Sequence, residues 1–149
     1  MPDGMRAQGL YPVRALAPAE LRVLAVLRAW MAAHRAPARR HPDWQAMLAC
    51  AGFRPSGALG FGLLMSVLTR DAGRVLDVRG CAGAELGRDE AMLLDLLAAL
   101  QRDDALSALG GLAEWLAPEE LPAALRGARA FAHQAAAAGL HLAPGSRSG

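Results

Sequence analysis

Residues 56–70 constrain this chain more than any other stretch. Wound at 100° per residue, Leu59, Phe61, Leu63, Leu64, Met65, Val67 and Leu68 point in nearly every direction. A segment apolar all round belongs inside a protein or inside a membrane. At about 14 residues, roughly 21 Å, it is too short to cross a bilayer. The reading that follows is a central buried helix with other helices laid around it. A stripe of small residues, Ala58, Gly62, Ser66 and Thr69, suits close approach of a second helix backbone.

The flanking sequence supplies those neighbours. Pro18 opens a first helix that Pro37 stops near Arg35, with Val23, Leu24, Val26, Leu27, Trp30 and Met31 on one arc. Pro42 precedes a short second helix, about 43–51, ended by Gly52. Ser56 starts the central one. A fourth runs from about Arg88 to Arg102, where Met92, Leu93, Leu96, Leu97 and Leu100 cover a wide arc and Leu94 widens it further. Asp103 or Asp104 caps a fifth, to about Leu116, which Gly110 and Gly111 are expected to kink or divide. The last starts between Pro118 and Pro122 and reaches about Ala138, with Ala128, Phe131, Ala132 and Ala135 opposite Arg126, Arg129 and His133.

The expected architecture is therefore all-α: one compact bundle of five or six helices over residues 17–142. Residues 1–16 are read as a tail docking through Leu10 and Tyr11, and residues 143–149 as a disordered tail. At most one short strand is allowed, at about 74–79, where Arg74, Val75, Leu76, Asp77, Val78 and Arg79 alternate. No apolar run follows Arg6, so no secretory signal is read and a cytoplasmic location is expected.

The chain has 149 residues and lacks lysine, asparagine and isoleucine altogether. Those residues have AT-rich codons, which points to a GC-rich, bacterial genome. The same bias accounts for every one of the 16 basic residues being arginine, so the choice of arginine carries no message about nucleic acid. A net charge of +2 is small for a nucleic-acid partner. Charge is nonetheless uneven. Residues 1–54 hold eight arginines against Asp3, Glu20 and Asp43, and the loop at 34–41 is the densest part. Arg35, Arg39, Arg40 and His41 are the candidates for an anionic partner.

Motifs with chemistry are scarce. Cys50 and Cys81 stand 31 positions apart, and no histidine pair has ligand spacing, so neither a metal nor a cofactor is expected. Cys81, in a glycine-bearing loop before a helix, is the candidate reactive thiol. The acidic pairs Asp89-Glu90, Asp103-Asp104 and Glu119-Glu120 all fall at helix starts, where capping and the dipole explain them. No nucleophile elbow or phosphate loop is present, and no catalytic residue is assigned. Residues 43–70 have a helix-turn-helix outline, but the second helix offers leucines where base-reading side chains belong.

The fourth helix carries more apolar circumference than a peripheral helix needs. It is either a second inner helix or a homodimer face built on Leu93, Leu96, Leu97 and Leu100. The functional expectation is a small non-enzymatic helical module acting by protein contact, with itself or a partner protein. One alternative is a ligand-binding or enzymatic domain whose pocket gathers Cys81, Asp77 and His133. Another is a nucleic-acid accessory protein using the 34–41 loop.

Overall fold

The computed structural model describes residues 11–71 and 75–143. They form an all-α domain with six α-helices: α1 Pro18–Arg35, α2 Trp44–Cys50, α3 Pro55–Asp71, α4 Arg88–Gln101, α5 Ala105–Ala113 and α6 Leu121–Ala137. Two 3-10 turns, Val13–Ala15 and Pro118–Glu120, precede α1 and α6. No helix among the described residues is long and apolar enough to cross a membrane.

Local chemistry explains the helix ends. The Glu20 carboxylate accepts the Ala17 amide at 3.0 Å at the start of α1. Asp43 Oδ1 accepts the Gln45 and Ala46 amides at α2. Of the two candidates before α5, Asp104 is the cap, accepting the Ser107 amide at 3.2 Å. Asp103 takes the left-handed conformation that turns the chain, φ 60°, which a short polar side chain tolerates. The division expected at the glycines of α5 does not occur. The helix runs through Gly110 and Gly111 and ends at Ala113.

The inner helix is α4. Ten of its fourteen residues are buried, among them Leu93, Leu96, Leu97 and Leu100. These four leucines pack within the chain itself, as the inner-helix alternative required, so they are not available as the homodimer face that was the other alternative. A contact between copies would have to use other residues. The central-helix reading of residues 56–70 holds on one side of α3 only. Leu64, Met65 and Leu68 are fully buried, whereas Leu59 is 74% exposed and Leu63 36%.

Helices α3 and α6 run antiparallel in the tightest contact of the fold. A Cβ on Gly60 would lie 2.7 Å from the Gly127 carbonyl oxygen, and one on Gly127 would lie 2.5 Å from the Gly60 carbonyl. Gly57 meets Gln134 in the same way. Close approach thus uses Gly57 and Gly60, not the stripe through Ala58 and Gly62. That stripe turns partly towards α2, where a Cβ on Gly62 would touch Trp44.

Residues 75–87 cross the surface of α1 and α4 as an extended strap. The alternating pattern forms no strand among the described residues. Arg74, the first residue of the expected strand, lies outside them. The one bridge among the described residues pairs Pro12 with Glu85, and it brings Tyr11, Val13 and the buried Leu16 into the fold. Residues 11–16 are thus a packed edge of the domain, while Leu10 lies outside the described residues.

With no ladder, the strap's backbone groups need other partners. Arg28 and Arg35, two turns apart on α1, take its carbonyls. Arg28 donates to Gly83 and Glu85, and Arg35 to Val78 at 2.6 Å and Leu76 at 3.1 Å. Asp89 and Glu90, in the first turn of α4, take its amides. Asp89 accepts Asp77 N–H, and Glu90 accepts Arg79 and Gly87 N–H.

Candidate functional site

A cleft of about 600 Å³ opens between α1 and α2, with α6 behind it. Its existence follows from the brevity of α2. Seven residues place only Leu48 in the core, and the facing positions Ala25, Ala46 and Ala51 are too small to fill the gap. Val23 and Val26 line one wall, Met47 and Leu48 the other, and Leu140 closes one side.

The floor is aromatic. Phe53 stacks on Phe131 with ring centroids 5.0 Å apart, and Phe61 meets Phe131 at 4.8 Å, with Trp44 against Phe61 at 5.7 Å. Such a cluster is a rigid apolar surface, since each ring is held by the next.

Three polar side chains line this cleft: Arg22, Asp43 and Cys50. Asp43 is committed to capping α2. Arg22 is exposed and has no ion-pair or hydrogen-bond partner among the described residues. Cys50 is an exposed free thiol. No histidine lines the cleft, so the thiol is not assembled with an imidazole base there. Apolar burial beside one guanidinium is chemistry suited to binding.

The residues singled out from the sequence lie elsewhere. Arg35 spends two of its five N–H donors on the strap carbonyls of Val78 and Leu76. His41 Nε2 lies 2.7 Å from the Ala36 carbonyl, which closes the 36–41 turn. Arg39 and Arg40 alone of that group are exposed without a partner among the described residues.

Cys81 is exposed at a turn of the strap. It does not share a site with Asp77 and His133. Asp77 accepts the Arg88 amide at the start of α4, while His133 lies 3.7 Å from Asp103, beyond the end of that helix. Fourteen helical residues, roughly 20 Å, separate the two ends. Asp77 also holds Arg79, Nε to Oδ1 at 2.8 Å. That hydrogen bond from Arg79 keeps the Asp77 carboxyl below its ordinary range, with the Arg88 amide adding to the effect, and Asp77 in turn raises Arg79. No cluster of metal-ligating side chains occurs among the described residues.

Sequence reasoning missed the cleft. Its one trace was the run of alanines facing the second helix, and alanine marks close packing as readily as empty space. Fold and cleft together define the class of object: an all-helical domain with an apolar cleft between a long helix and a short one. The chain matches no family model, no curated protein and no solved structure.

Proposed function

We propose that this protein is a small helical binding module whose α1–α2 cleft takes up the apolar part of a ligand. One observation carries the reading: a 600 Å³ space floored by stacked aromatic rings, within the size range of small-molecule sites. The test is binding of a neutral solvatochromic dye such as Nile red to the wild type and to Ala46→Trp. Ala46 is exposed on the cleft wall, so an indole there fills the space without entering the core. Dye binding by the wild type and its loss in the variant, with unchanged helical circular dichroism, support the reading. Equal binding by both overturns it.

A second reading, contact with a protein, is favoured by the outer face of α3. Leu59 and Leu63 are exposed there, and Leu59, Ala58 and Pro55 border a groove of about 410 Å³ on the other side of α2. Light scattering of the wild type beside Leu59→Asp separates self-association from a monomer.

A further inference from the structure

We infer that the occupant of the cleft is a free single-chain alkyl carboxylate, its tail over Phe53 and Phe131 and its head paired with Arg22. This rests on the binding reading above and names the ligand class for that site.

The tail follows from the walls. Val23, Val26, Met47 and Leu48 present hydrocarbon and one flexible thioether, surfaces that reward apolar area and offer no hydrogen-bond donor of their own. A sugar or a nucleobase would leave its polar edges unmatched against them.

The head follows from the charge balance. Two charged side chains line the cleft, but they are not equivalent. Asp43 keeps its negative charge but already has partners, its Oδ1 accepting the Gln45 and Ala46 amides. Arg22 has no such partner among the described residues. The unpartnered charged group is therefore a guanidinium, whose planar fork fits a carboxylate through two parallel hydrogen bonds. Asp43, on the same lining, disfavours a head of higher negative charge such as a phosphate monoester.

Displacement of Nile red by decanoate, 1-decanol and decyltrimethylammonium, each below its micelle concentration, tests the head at constant tail length. Decanoate is expected to compete at about fivefold lower concentration than decanol, the upper range for a solvent-exposed ion pair, and the ammonium least well. Arg22→Ala abolishes the advantage of decanoate and leaves decanol unchanged. Arg22→Glu reverses the order in favour of the ammonium. Equal competition by decanoate and decanol, with Ala46→Trp still blocking the dye, overturns the carboxylate and leaves the cleft as a binding site. Dye binding that ignores Ala46→Trp overturns both.

Discussion

The Arg28 guanidinium grips the Glu90 carboxylate through two hydrogen bonds, 2.7 Å from Nε and 2.9 Å from Nη2, across 62 positions of sequence. Both side chains are almost wholly buried, 4% and 0% exposed. The pair is tolerable in the interior because further hydrogen bonds surround it: Arg28 donates to two strap carbonyls, and Glu90 accepts two backbone amides. The ion pair therefore links α1 and α4 and replaces the sheet partner that the strap lacks.

Removing one partner leaves a buried charge alone. Glu90→Leu and Arg28→Leu are each expected to cost about 3–5 kcal/mol, measured by urea unfolding. The double variant is expected to be less destabilised than the sum of the singles, because neither charge is then orphaned. Additive losses would show that the two groups do not depend on each other.

Glycines on different helices answer differently to alanine. Gly60→Ala and Gly127→Ala press a methyl group on a facing backbone carbonyl, and about 1–3 kcal/mol of destabilisation is expected from each. Gly110→Ala meets open space in an α-helix and is expected to stabilise by about 0.4–1 kcal/mol. Thermal unfolding of the three variants distinguishes the two classes by sign.

Asp77 adds a pH dependence with a definite sign. Its folded carboxyl is held below the ordinary value of 3.8 by the hydrogen bond from Arg79. A lowered carboxylate stabilises the fold above its unfolded pKa, and that contribution is lost as pH falls through the folded value. The stability gap between wild type and Asp77→Asn is thus expected to be full above about pH 5 and to shrink below 3.8. Denaturant unfolding at pH 7 and pH 3 measures it. A gap that widens in acid would contradict the Asp77–Arg79 assignment.

Helix α2 is weakly anchored for its place beside the cleft. Leu48 is its one fully buried side chain, Trp44 and Met47 pack only partly buried on the core, and clefts of about 600 and 410 Å³ lie on its two sides. Few buried apolar contacts mean a low free energy of local opening. Native-state hydrogen exchange should show the amides of 47–50 exchanging before those of α4 and α6. Protection equal to that of α4 would place α2 within the main cooperative unit. Because α2 forms one wall of the cleft, slower exchange on adding decanoate is a second expected result.

Five or six helices and most of their approximate ends were legible in the chain because both signals are local. Apolar residues recur at helical spacing, and Pro18, Asp43, Asp104 and Gly139 stand where a helix must begin or stop. Capping by one of Asp103 and Asp104, and a capping or dipole role for Asp89 and Glu90, were visible for the same reason. The partners of those charges were not. Arg35 in sequence is one member of a basic cluster; in space it is a donor to two carbonyls more than 40 positions away. Asp89 and Glu90 read as helix-start carboxylates, and they also satisfy a strap with no ladder. The tertiary structure alone decided which apolar helix lies innermost, which glycines let α3 and α6 touch, and where packing fails and leaves a cleft. Helical periodicity is a property of neighbours along the chain, whereas pair formation, close approach and unfilled volume depend on which distant surfaces meet.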